Sequence, residues 1–170
     1  MIKPEALFAN PARRASIDAP LEHLLACHRR IEERLETLER AAAHLEDQSE
    51  AALDAFRSAF AFLDTSGTLH TADEEESLFP RLMAALEPGE RSYVAGLEHD
   101  HAEAHRIYTE LKVSLDRPAQ ARHLVERLCA LYRAHIESED SVLQEYARVH
   151  LTAGQLAEIA REMKDRRGLD

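Results

Sequence analysis

Apolar residues recur every three to four positions along four long stretches of this chain, with short breaks between them. The first stretch opens at Asp18–Pro20, where a capping residue stands just before a helix-start proline, and runs to about Asp47. Its inward stripe is Leu21, Leu24, His28, Ile31, Leu35, Leu38, Ala42 and Leu45. The second starts near Ser49 and runs to about Leu78, with the stripe Leu53, Phe56, Phe60, Leu63, Gly67, His70, Glu74 and Leu78. "DTSG", Asp64 to Gly67, is poor helix interior and predicts a local bend, and Pro80 is expected to end or kink the helix. The third runs from the break at Glu87–Glu90 to about Leu115. It carries Val94, Leu97, His101, His105 (or Ala104), Tyr108, Leu111 and Leu115. After "DRPAQ", Asp116 to Gln120, the fourth runs to about Val149 with Leu124, Leu128, Leu131, His135, Glu139, Val142 and Tyr146. A capping-box pattern, Thr152 to Gln155, opens a short last helix carrying Leu156, Ile159 and Met163. No stretch carries a strand signal. The predicted fold is all-α, an antiparallel up-down-up-down four-helix bundle over 18–150. A flexible leader, 1–17, precedes it and a C-terminal helix, 151–170, follows.

Each stripe contains polar residues where a core should be dry: His28 in the first, His70 and Glu74 in the second, His101 and His105 in the third, His135 and Glu139 in the fourth. Burying such groups without partners costs several kcal/mol each. In an antiparallel bundle all of them fall roughly 12 to 20 Å from the same end, at about 1.5 Å per residue. Five imidazoles and two carboxylates are thus expected in one layer. The i,i+4 pairs His70–Glu74, His101–His105 and His135–Glu139 each place two side chains on one face, one turn apart.

Mixed imidazole and carboxylate ligation suits iron, manganese or zinc. The donors are too many for one tetrahedral zinc; they fit two adjacent ions bridged by the carboxylates. The carboxylate-rich ferritin-like bundles use Glu-x-x-His, the opposite order. His23, His44, His123 and His150 lie off the stripes and are expected to be solvated. Glu75, Glu76, Glu137 and Asp140 are expected on a charged outer face, where one of them could orient a histidine N–H.

Composition narrows the partners. The chain has 170 residues, which fits one domain, with 45% hydrophobic and 31% charged residues. Its net charge of -11 and pI near 5.4 disfavour nucleic acid and anionic membrane surfaces. No apolar run approaches the roughly 20 residues of a membrane span, and the leader lacks the apolar core of a signal peptide. Cys27 and Cys129 sit in helical patterns and fit packing roles in a reducing, cytoplasmic setting.

Four motifs, taken in order, resemble the hemerythrin-like, or HHE cation-binding, family. They are "CHRRIEERL" around His28, "HTADEEESLFPRL" from His70, "LEHDHAEAHRIYTEL" around His101 and "HIESEDSVL" from His135. The resemblance covers roughly Leu21 to Tyr146. It implies a non-haem di-iron site, with His28 and His70 on one iron and His101, His105 and His135 on the other. Glu74 and Glu139 would bridge them, with an oxo or hydroxo group between. The oxygen-carrying members resemble His-x-x-x-x-Asp in the last helix, which would select Asp140; the HHE members resemble His-x-x-x-Glu, which selects Glu139. His105 stands as a direct ligand or as a residue behind one.

The implied role is to bind, sense or react with dioxygen or a related small molecule. The alternatives are iron storage or sensing through a protein partner, or an oxidase, peroxidase or nitric-oxide-related enzyme. A monomer or a homodimer is expected.

Overall fold

The computed structural model describes residues 17–47 and 50–169. Helix α1 spans Pro20–Ala43. Helix α2 covers 50–85 as a run of α segments joined by two wider π turns, Leu63–Gly67 and Glu74–Leu78. Helix α3 spans Pro88–Lys112. Helix α4 covers 118–150 and contains one π turn, Glu139–Leu143. Helix α5 spans Ala153–Arg166. No strand occurs among the described residues. The leader lies outside the described residues except for Ile17, which is buried.

The chain punctuation acts as its chemistry dictates. Pro20, Pro88 and Pro118 stand in the first turns of α1, α3 and α4, where a missing N–H costs nothing. Glu87 and Glu90 form a capping box at α3, and Thr152 and Gln155 form another at α5. Of the two outcomes expected at Pro80, an end or a kink, the end does not occur, and the helix continues to Ala85. Pro80 falls in the first turn after a π turn, where the hydrogen-bond ladder is already re-phased and tolerates its missing donor. The other π turn, Leu63–Gly67, covers the stretch where the sequence predicted a bend.

Helix α1 packs on α2 and α4, α3 packs on α4, and α5 lies against α1 and the middle of α2. Contacts between α1 and α4 include Leu21 with Gln144, His28 with Asp140 and Leu35 with Cys129, and Glu46, in the turn after α1, meets Arg122. Between α2 and α3, Asp64 meets Lys112 and Glu75 meets His101.

Two apolar clusters result. One gathers Ile31, Leu35, Leu38, Phe56, Leu63, Ile107, Leu111, Leu124 and Leu128. The other gathers Leu21, Leu24, Leu78, Phe79, Leu82, Val94, Leu97, Leu143, Ile159 and Met163. Burying each such side chain contributes roughly 1.5–3 kcal/mol. In α1, α2 and α3 the polar stripe residues His28, His70, Glu74 and His101 fall in sequence between the members of one cluster and those of the other, and in α4 only Ile136 of the first cluster comes after His135. A polar layer therefore separates two dry halves.

Candidate metal centre

Six of the seven residues singled out in the sequence meet in that layer. His28, His70, Glu74 and Glu139 form one group whose ligand atoms lie within 4.8 Å of one another. Glu74, His101, His135 and Glu139 form a second group on the same criterion. The two groups share both carboxylates. His28 and Glu139 are each 1% exposed, Glu74 0%, and His70 and His135 4%.

The donors face one another without satisfying one another. His28 Nε2 lies 3.2 Å from Glu139 and 3.6 Å from Glu74. His70 Nε2 is 3.3 Å from Glu74, His101 Nε2 3.4 Å from Glu74, and His135 Nε2 3.1 Å from Glu139. Yet both oxygens of Glu74, both of Glu139, and Nε2 of His28 and of His135 have no hydrogen-bond partner. Orphaned buried polar atoms cost about 1–3 kcal/mol apiece, more when charged. A cluster of them aimed at one point fits cations that the atoms would share.

In His28 and His101 a carboxylate holds the outer nitrogen, whereas Nδ1 of His70 and of His135 has no hydrogen-bond partner. Asp140 accepts a hydrogen bond from His28 Nδ1 at 2.5 Å and is itself held by Arg29. Glu75 accepts from His101 Nδ1 at 2.8 Å. Asp100 approaches His135 Nδ1 to 3.5 Å without a hydrogen bond. A proton held at Nδ1 leaves the Nε2 lone pair directed at the centre, and the carboxylate behind raises its basicity.

Electrostatics in the metal-free chain show the strain of this arrangement. Burial alone would lower His28, but the Glu139 and Glu74 carboxylates reverse this and hold it up at about 9. Burial, then the Glu139 charge, pushes Glu74 up to about 8. Burial would also raise Glu139, but His135 and His28 pull it well below the usual carboxylate range. Two buried carboxylates this close cannot both ionise unless cations compensate them.

A sequence model of the hemerythrin HHE cation binding domain matches residues 19–147. The chain belongs to that family. An uncharacterized protein of Haemophilus influenzae is 28% identical over 165 residues, which cover 92% of this chain and 95% of that one. Membership fits the observed His/Glu cluster and makes this HHE chain a cation-binding domain. Among the described residues, no helix is long and apolar enough to cross a membrane.

The structure leaves His105 outside both donor groups. It is exposed, and the inward position one turn beyond His101 is taken by Ala104, 3% exposed. A helix of 3.6 residues per turn alternates steps of three and four, and here α3 takes the step of three. Asp140 stands behind His28 rather than beside Glu139 in the centre.

Two further expectations change. His23 is buried at 3%, not solvated, and lies 3.5 Å from the Cys27 thiol. Val142 is 37% exposed, while Leu143 takes its inward place. The sequence also gave no sign of Asp73 and Ser77, both fully buried beside Glu74 and bound by Arg166. Their only trace was basic residues in the last turn of the final helix.

Proposed function

We propose that this HHE domain holds two non-haem iron ions and uses them to bind, sense or react with dioxygen or a related small molecule. His28 and His70 would hold one ion and His101 and His135 the other, with Glu74 and Glu139 shared. The observation that carries the reading is the pair of overlapping donor groups with both carboxylates in common. A pair of redox-active ions supplies one-electron chemistry and coordination positions for a small oxidant. The chain's own part is different. Asp140 and Glu75 keep protons on the outer imidazole nitrogens of His28 and His101, and the two apolar clusters flank the centre on either side. Manganese or zinc would fit the same donors.

The reversed order of contacts supports an up-down-up-down antiparallel bundle over 18–150. On α1 and α4, residue 21 meets 144 and residue 35 meets 129; on α2 and α3, residue 64 meets 112 and residue 75 meets 101. A cytoplasmic location is part of the same proposal.

Iron storage or sensing through a partner is the second reading. It is favoured by the position of the cluster between the two cores, where occupancy would set the stability of the whole bundle.

The test is metal content together with the absorption spectrum, recorded on reduced protein without air and again after adding oxygen. The proposal expects about two irons per chain, a new near-ultraviolet to visible band, and loss of both iron and band in His70→Ala. Iron at that stoichiometry with no oxygen-dependent band would move the reading to storage or sensing. No bound iron would contradict both readings.

A further inference from the structure

Glu74 belongs to both donor groups, and among the described residues no hydrogen bond holds either of its carboxylate oxygens. His28 and His101 are oriented by carboxylates behind their rings. Glu74 has no such support, so its backbone must aim it. That backbone opens a π turn, Glu74–Leu78, where the helical ladder is out of phase with the α segments on either side.

The turn is fastened from outside, by α5. Asp73, the residue before Glu74, accepts hydrogen bonds from Arg167 at 2.6 and 3.0 Å and from Arg166 at 3.0 Å. Ser77 Oγ accepts from Arg166 at 2.6 Å, and Glu76 accepts from Nε of the same guanidinium at 3.0 Å. Asp73 and Ser77 are fully buried. Arg167, buried at the end of α5, also donates to the Met163 carbonyl at 2.8 Å, which ties it to its own helix. Arg81, just past the turn, donates to the Ser77 carbonyl and to Glu162 of α5, each at 2.8 Å. The backbone is thus held to α5 on both sides of Glu74.

Stability alone does not account for these contacts. A buried ion pair contributes little beyond what apolar residues of the same volume would. What it adds is geometry, because a planar guanidinium accepts partners only along fixed directions. The other shared carboxylate is treated alike. Glu139 opens the π turn of α4, and the carbonyl of Ser138, the residue before it, accepts from the Tyr93 hydroxyl of α3 at 2.7 Å. In both turns the residue that precedes the carboxylate is the anchor.

We propose that Arg166 and Arg167 are positioning residues for the metal centre: they fix the π turn of α2 and so set where the Glu74 carboxylate stands between the two cation positions. Helix α5 is then part of the centre and not merely a cover over the bundle. The inference rests on the reading above that cations share Glu74, and on no particular chemistry at them.

The experiment uses the full chain, stripped of metal and refilled with divalent cobalt, whose visible bands report the number and arrangement of its ligands. Titration gives the affinity and the spectrum gives the geometry. Arg166→Gln removes the contacts to Asp73, Glu76 and Ser77 together. It is expected to weaken cobalt binding about tenfold to a hundredfold, the usual effect of losing a group that orients a ligand, and to change the bands. Ser77→Ala removes one of these contacts with little risk to folding and is expected to act in the same sense by less. Ile159→Ala loosens α5 through its apolar side; it should lower the melting temperature and leave affinity and bands as in the wild type. Affinity and bands unchanged in both Arg166→Gln and Ser77→Ala, or moved as much by Ile159→Ala, would overturn the positioning role while cobalt still binds. Glu74→Gln tests the shared-carboxylate reading separately. Cobalt bound as tightly by that variant as by the wild-type chain, or not bound by the wild-type chain at all, would overturn that reading and the positioning role with it.

Discussion

At the scale of single residues, the centre is a set of donors waiting for charge. In the metal-free chain His28 sits at about 9 and Glu74 at about 8, above their ordinary values of 6.5 and 4.5. The fold thus favours their protonated forms. That stability is complete below the unfolded values and is lost as pH rises through the folded ones. His135 is also raised, because Glu139 outweighs its burial, and it acts with the same sign. His23 and His70 are lowered by burial and act oppositely, on acidification below about 6.5. The melting temperature of the metal-free chain should therefore fall between about pH 6.5 and 9, with the metal-loaded chain nearly level. A metal-free chain whose melting point holds or climbs across that range would show that these protons are not held by the fold. The i,i+4 pairs at His70–Glu74 and His135–Glu139 were legible in the sequence because both members replace apolar residues on an inward stripe. His105 was not, since steps of three and four are both inward in a helix until a neighbour selects one.

At the scale of elements, π turns and α5 account for what periodicity missed. A π turn adds a residue to the helical circuit, and such turns concentrate at functional sites. Those at Glu74–Leu78 and Glu139–Leu143 each begin at a shared carboxylate. Beyond Glu139 the inward position moves by one, from Val142 to Leu143 and on to Ala147. A constant period of 3.6 cannot show this shift. Helix α5 gives α1 and α2 a second covered face, which is why His23, Cys27, Asp73 and Ser77 are buried off the main stripes. Arg167 grips Asp73 with both arms at 2.6 and 3.0 Å, and Arg166 adds a third contact at 3.0 Å. Breaking a buried pair from one side costs about 3–5 kcal/mol. Asp73→Asn should lose stability on that scale in denaturant unfolding and expose α5 to hydrogen exchange before the rest of the chain. A change under about 1 kcal/mol would mean that α5 is held by its apolar contacts through Ile159 and Met163 alone.

At the scale of the molecule, the polar layer is the joint between two dry cores. Its height was legible because helix lengths and short connections place His28, His70, His101 and His135 at one level. The burial that makes the layer costly came from the assembled fold. The shared carboxylates make the central claim a geometric one: two cations side by side, each touching Glu74 and Glu139. Anomalous diffraction at the iron edge, from crystals of iron-loaded protein, tests it most directly. The account predicts two peaks about 3.5–4 Å apart between those carboxylates, with His28 and His70 beside one and His101 and His135 beside the other. A single peak, or peaks away from Glu74 and Glu139, would contradict it.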